Sequence, residues 1–416
     1  MSTLSGDQRP ASGSAGHVLT LISAGSATTR ADLARVTGMA RSTISQRVDA
    51  LVAHGLIREA DESESTGGRP PRQLRLRTED NTVVGVDLGA THCRLALMDI
   101  SGHVLASRED SLLIDEGPEA VLTHVDRRLH DLLDEANKPL EALRAIGMGV
   151  PGPVEFATGQ PNNPPIMPGW NEYPIPEFFT DRYGVSVLVD NDVNMMALGE
   201  QRRAYPDARY LMFVKVGTGI GCGIIADGDL HRGAQGCAGD IGHIRVSGHE
   251  EAGCRCGNSA CLEAVAGGAA LARRLTDLGF EVATGSGVVE LVQAGNIQAL
   301  RLVREAGRVV GEVLAGLVNF FNPEVIVIGG VLSAVHDHLL AGVREVIYRR
   351  SLPLATHHLE IVPSRTGADA AALGAGILAI DHFLSPGHID RVLARDAEPS
   401  EPSQPSPPSP PLRAAP

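Results

Sequence analysis

Two segments, VVGVDLGATHCRLALMDI (residues 83–100) and LMFVKVGTGIGCGIIADG (residues 211–228), follow one plan: an apolar strand, a turn built on Gly and Thr, and a second apolar strand. The repetition implies an internally duplicated, two-lobed fold. Further apolar strands, AIGMGV, VSVLVDND and EVIVIGG, lie between and beyond them, with amphipathic helical stretches in several of the gaps. Strands alternating with helices from residue 81 onward predict an α/β domain, because each buried sheet face needs a helix layer to cover it.

A chain of 416 residues is long enough for two or three domains with separate cores. Aromatic residues make up only 3%, which argues against base-stacking platforms for single-stranded nucleic acid. No stretch approaches the roughly 20 apolar residues of a membrane helix. The opening MSTLSGDQRP lacks the basic-then-apolar pattern of a secretion signal. The expectation is a cytoplasmic protein without a membrane partner.

Charge is unevenly divided. Residues 1–78 hold ten Arg against seven Asp or Glu, a balance of +3, whereas the remainder carries −17. An acidic body repels a polyanion, so contact with nucleic acid is expected only at the N-terminal end.

That end reads as a winged helix-turn-helix. A helical stretch at residues 17–24 is followed by a second helix capped by Thr29 and stopped by Gly38. Ile44, Val48, Leu51 and Val52 then recur at helical spacing, leaving Ser42, Thr43, Gln46 and Asp49 on the opposite face. The segment ESESTGGRPPRQLRLR, with alternation at Leu74 and Leu76, predicts a β-wing carrying Arg69 and Arg72. Ser42, Thr43, Gln46 and Arg47 are the candidates for contacting bases or phosphates of a double-stranded operator, and Arg69 for entering the adjacent minor groove. Ala40 stands where a polar N-cap would normally open the recognition helix. The bland alternative, a three-helix scaffold with a solvated face, does not account for the turn, wing and charge occurring together.

The run GHIRVSGHEEAGCRCGNSACLE brings His243, Cys254, Cys256 and Cys261 together within nineteen residues. Three thiolates and one imidazole complete a tetrahedral zinc shell, and a closed shell leaves no position for a reactive water, so the expected Zn2+ is structural. His249 is a rival ligand to His243. The other cysteines, Cys93, Cys222 and Cys237, read as small buried thiols in a chain without a disulfide framework.

In order, the motifs GMGVPGPV, DNDVNMMALGE, VGTGIG, GDIGH, CRCGNSACLE and VIVIGG resemble the ROK family of sugar kinases and repressors over most of residues 81–380. The resemblance implies an actin-like, hexokinase-like ATPase fold of two lobes, a monosaccharide or sugar phosphate in the cleft, and assembly as a homodimer or homotetramer. It implies sugar contacts from Asn191, Asp192, Asp240, His243 and Glu263, with Asp192 as the catalytic base only in a kinase. His243 would offer one ring nitrogen to zinc and the other to the sugar. Asp240 is one methylene shorter than the family's usual Glu. The expected domain bounds are a flexible 1–15, the winged helix-turn-helix at 16–80, the ROK-like domain at 81–385 and a Pro/Ser-rich disordered tail at 386–416.

Two functions from different classes follow. A helix-turn-helix fused to a sugar site describes a sugar-responsive transcriptional repressor of carbohydrate-uptake or carbohydrate-use genes. The alternative is an ATP- and Mg2+-dependent monosaccharide kinase with a fused DNA-binding domain, since Asp87, Gly89, Thr91 and Gly217, Thr218, Gly219 follow strands as phosphate-cradling turns do. Ala90, in place of the second glycine usual in the family's kinases, adds a methyl group beside the phosphate path. A DNA-binding scaffold with a dead pocket is a third possibility, opposed by the retained Asn191, Asp192, His243 and Glu263.

Overall fold

The computed structural model describes residues 13–60 and 72–397. The chain divides into two compact units, one made of residues 1–77 and 384–416, the other of residues 78–383.

In the first unit, helices α1 (Ala15–Ser23), α2 (Arg30–Thr37) and α3 (Arg41–Ala53) precede strands β1 (Ile57–Ala60) and β2 (Gln73–Leu76), which pair antiparallel with Ile57 opposite Leu76. Thr29 caps α2 through its side chain, and Gly38 ends it at φ 71°, a left-handed conformation that glycine adopts without steric cost. Ile44, Val48 and Leu51 are fully buried on one stripe of α3, whereas Val52, expected on that stripe, is 38% exposed. Arg30 ties the elements together, reaching Asp49 of α3 at 2.6 Å and Glu59 of β1 at 2.7 Å, while Arg72 reaches Glu59 at 3.0 Å.

The expectation of a disordered tail from residue 386 is overturned for its first part, because residues Pro386–Ala397 form a helix, α14. Its apolar positions, Ile389, Val392 and Leu393, recur at helical spacing ahead of the Pro/Ser tract, and Ile389 is only 1% exposed. Asp390 Oδ1 accepts the backbone N–H of Gly16 at 2.9 Å, so the C-terminal helix completes the unit built by the N-terminus. Residues 398–416 lie outside the described residues.

The second unit contains β3 (Thr82–Leu88), β4 (His92–Asp99), β5 (Val104–Ser111), α4 (Pro118–Glu135), β6 (Leu143–Val150), the short pair β7 (Val154–Glu155) and β8 (Gln160–Pro161), α5 (Ile175–Tyr183) and β9 (Ser186–Asn191). These build the first lobe, with sheet order β5-β4-β3-β6-β9. The second lobe holds β10 (Leu211–Val216), β11 (Ile220–Ala226), β12 (Asp229–Leu230), α7 (Leu262–Ala266), α8 (Gly268–Asp277), α9 (Gly285–Gln293), α10 (Ile297–Phe321), β13 (Val325–Gly329), α11 (His336–Arg350), α12 (Pro353–Thr356) and β14 (Glu360–Pro363). Its sheet order, β12-β11-β10-β13-β14, repeats that of the first: the first three strands antiparallel, the fourth and fifth parallel to the first. The duplication suggested by two hairpins therefore extends to whole five-stranded sheets, each with its own apolar core.

Helices α6 (Asp192–Ala204) and α13 (Ala370–Phe383) join the lobes. A Cβ on Gly199 would fall 2.1 Å from Ala370 O, and one on Gly374 only 1.8 Å from Met195 O, so these helices touch backbone to backbone. Such an approach holds α6, and with it Asp192, rigidly against both sheets.

Ile389→Ala is expected to destabilise the winged-helix unit by about 2–5 kcal/mol, the usual cost of emptying a fully buried aliphatic site. Denaturant unfolding followed by circular dichroism measures it, and an unchanged midpoint would remove α14 from this core.

Candidate functional site

The β9-to-α6 junction carries the DNDVN motif. Asn191 is the N-cap of α6, its Oδ1 accepting the N–H groups of Val193 at 2.9 Å and Asn194 at 3.3 Å, while its Nδ2 donates to Gly152 O at 2.9 Å. Both ends of that amide are thus engaged with the backbone, and its first task is to hold the turn. Asp190 is 3% exposed and paired with Arg232 at 2.7 Å, and it also accepts from Asn194 Nδ2 at 2.8 Å.

Asp192, 3% exposed at the first turn of α6, faces a residue just outside the VGTGIG motif. Lys215 Nζ lies 2.5 Å from Asp192 Oδ2. Burial works against the Lys215 ammonium, but the adjoining carboxylate outweighs it and holds the ammonium above the usual lysine range. A signal was present: Lys215 is the single charged residue in the strand LMFVKV, and an isolated charge in an apolar strand marks a paired or functional group.

Asp87 is 1% exposed, and its Oδ2 sits 3.2 Å from His92 Nε2. Gly89, buried in the turn, lies under the His92 ring, while Thr91 is exposed. In the second hairpin, Gly217 O accepts from Gly268 N at 2.7 Å and Thr218 O from Ala269 N at 3.2 Å, which fixes the 217–219 turn against the start of α8. Gly219 leaves room for Glu263, since a Cβ there would fall 2.5 Å from Glu263 Oε2.

Glu263 links this turn to the cysteine cluster, its Oε1 lying 3.6 Å from Cys254 Sγ. His243 Nδ1 is also 3.6 Å from Cys254 Sγ, and the Cys256 and Cys261 sulfurs are 3.7 Å apart. All four ligand atoms lie within 4.8 Å of one another. A tetrahedral ion with Zn–S near 2.3 Å and Zn–N near 2.05 Å sets S···N at about 3.6 Å and S···S at about 3.8 Å. The donor set and its spacing therefore fit such an ion, and His243 rather than His249 belongs to it. The Asn258 backbone N–H pulls the Cys256 thiol down to about 7, whereas burial pushes Cys254 up and Cys261 up to about 12. With Nδ1 facing the sulfurs, His243 Nε2 points to the other side, 4.0 Å from Asp240 Oδ1. Asp240 itself is half exposed. Cys93 and Cys222 are buried, with burial pushing each thiol up to about 12, whereas Cys237 is exposed because it lies in the glycine-rich 233–239 loop.

In the DNA-binding candidate, Ser42, Gln46 and Arg47 are exposed and Thr43 is half-buried along α3. Ala40 occupies the N-cap position without a side-chain hydrogen bond, and the helix begins at Arg41 all the same. Asp49, on the same polar face, is committed to Arg30. Arg69 lies outside the described residues.

A model of the ROK family matches residues 83–382, well over half of the chain and the whole duplicated unit apart from its edges. The chain belongs to the ROK family. A MarR family model matches residues 12–69, which take in α1, α2, α3 and β1 and stop short of β2. A putative xylose repressor from Caldicellulosiruptor sp. (strain Rt8B.4) is 30% identical over 370 residues, covering 86% of this chain and 92% of its relative. The dual regulator NagC of Escherichia coli (strain K12) is 29% identical, covering 83% and 87%. Among solved structures, a ROK family transcriptional regulator described as a homolog of the E. coli MLC protein aligns with a TM-score of 0.78 at 25% identity, covering 92% of this chain and 98% of that one. A ROK glucokinase from Streptomyces griseus, in complex with glucose and AMPPNP, aligns with a TM-score of 0.63 at 26% identity, covering 72% and 99%. Likeness to the regulators thus runs through both units, and likeness to the glucokinase spans about as much chain as the ROK unit contains. Among the described residues, no single helix is long and apolar enough to cross a membrane.

Cys261→Ser is expected to reduce bound metal from about one ion per chain to near zero and to lower the melting temperature, because a four-ligand site closes only with all its donors. Elemental analysis of the purified protein checks this, and a metal content unaffected by the substitution would dissolve the cluster's role.

Proposed function

We propose that the protein is a sugar-responsive transcriptional repressor that binds a double-stranded operator through α3 and the wing and controls genes for carbohydrate uptake or use. The observation that carries this reading is one chain joining a MarR-like winged helix, with Ser42, Gln46 and Arg47 exposed, to a ROK unit that retains Asp192, Glu263 and His243. A monosaccharide or sugar phosphate binds between the lobes of the ROK unit, contacted by Asn191, Asp192, Asp240, His243 and Glu263. Asn191 contributes chiefly by holding the β9–α6 turn.

The cysteine cluster carries a structural zinc. Three thiolates and one imidazole suit that ion in charge and softness, and no position remains for a reactive water. His243 then transmits the metal's rigidity to the pocket, one nitrogen on zinc and the other available to a sugar hydroxyl.

Sugar changes lobe closure, and closure biases the DNA-binding state by differential affinity. Assembly as a homodimer or homotetramer is part of the reading, since helix-turn-helix regulators read paired half-sites whose spacing must match the protein. The protein works in the cytoplasm, where its operator and effector are found together.

A kinase reading draws on the likeness to the glucokinase and on the two glycine turns. Coupled ADP release with xylose, glucose and N-acetylglucosamine discriminates: the repressor reading expects none, and turnover abolished by Asp192→Asn would replace it with the enzyme.

Operator fragments recovered by genomic selection are expected to be released or retained in a sugar-dependent way across a panel of monosaccharides and sugar phosphates. Arg47→Ala is expected to weaken binding on all sequences and to lower its salt dependence by about one phosphate contact. Operator affinity indifferent to every sugar would sink the sensing claim.

A further inference from the structure

The duplicated hairpins place a charged residue at one equivalent step: Asp87 in V-D-L-G and Lys215 in V-K-V-G, each two residues before the turn glycine. The two charges are opposite, and the Lys215 ammonium feels the Asp87 carboxylate as well as its direct partner Asp192. One buried carboxylate, Asp192, thus meets a cationic group belonging to the chain itself, and a second, Asp87, is buried beside the equivalent turn of the first hairpin.

Carboxylates beside glycine turns form the kind of site that takes a divalent ion and a nucleotide phosphate, with the acids on the metal and the turn amides on the oxygens. Here each component is already covered. Lys215 Nζ holds Asp192 at 2.5 Å, and His92 Nε2 lies 3.2 Å from Asp87. The same two side chains lie over the turns. A Cβ on Gly89 would fall 2.0 Å from His92 Cε1, and one on Gly217 would fall 3.3 Å from Lys215 Cε. A magnesium ion entering between the acids would meet an ammonium already in place, and a phosphate approaching the first turn would meet an imidazole.

We propose that Lys215 is the resident cation of this cleft and that, together with His92, it makes the pocket a site for sugar without metal or nucleotide. Lys215 is thereby the specificity-determining residue that separates ligand sensing from phosphoryl transfer. The proposal rests on the sensor reading above and deepens it, since it explains how a pocket with two kinase-like turns holds a sugar as a signal. The ammonium also fixes Oδ2 of Asp192, orienting the carboxylate for a sugar hydroxyl.

The full chain can be tested by thermal melting with three probes: MgCl2, Mg·ADP, and a panel of xylose, glucose and N-acetylglucosamine. The wild-type melting temperature is expected to be unaffected by MgCl2 or Mg·ADP. Lys215→Met combined with His92→Ala uncovers both acids and both turns, and is expected to gain a Mg·ADP-dependent rise of about 2–4 °C at saturating nucleotide. Lys215→Arg with His92 intact keeps a cation in place and is expected to behave as wild type, which a purely structural role for the lysine would not predict. Stabilisation of the wild type by Mg·ADP would overturn the proposal, as would a folded double variant that gains none. If the double variant does not fold, the wild-type and Lys215→Arg measurements still decide, because a nucleotide response in either contradicts a blocked site. The sugar arm is separate: no sugar response under any condition would defeat the sensor reading, while the nucleotide arms would still report on Lys215.

Discussion

The architecture of the ROK unit depends on the contact between α6 and α13. Gly199 and Gly374 let the two helices meet through their backbones, and any side chain at either position would strike a main-chain carbonyl. Helix α6 starts where β9 of the first sheet ends and packs on β10 and β11 of the second, so its position is dictated by both lobes. Asp192 sits at its first turn, so the carboxylate in the cleft is positioned by the packing of the entire unit.

Around that carboxylate, buried charges are matched one by one. Asp190 has Arg232, Asp192 has Lys215, Asp87 has His92, and Glu200 accepts from Ser364 Oγ at 2.8 Å and from the Arg365 N–H at 2.7 Å. An unpaired buried carboxylate is strongly destabilising, which explains why each acid carries a partner even where a ligand is expected to arrive. A ligand entering among these acids would meet carboxylates that already carry partners.

The Cys3His cluster stands beside the second glycine turn. Glu263 touches both Cys254 and the 217–219 turn, and His243 faces the sulfurs with one nitrogen and the Asp240 side with the other. One side chain, Glu263, thus lies between the donor Cys254 and the glycine turn. A metal shell closed on these four donors would restrain the loop at 243–261 more than hydrogen bonds alone.

Much of this was legible in local pattern. Thr29 and Gly38 bound a helix because their side-chain chemistry and backbone freedom act within a few residues. The metal ligands are close enough in sequence for spacing alone to suggest a shell, and the two hairpins announce a duplicated fold. What required the tertiary structure has one physical reason, which is that partners distant in sequence leave no local trace. The pairing of Asp192 with Lys215, the engagement of Asn191 with Gly152, the exposure of Val52 and the return of α14 to Gly16 are all decided by packing between separate segments. Sequence by itself determined most of the elements, the motif residues and the donor set, but not α14. Only the folded chain decided which charges meet, because charge pairing depends on distance in space, and here that distance is set by two sheets held to one pair of helices.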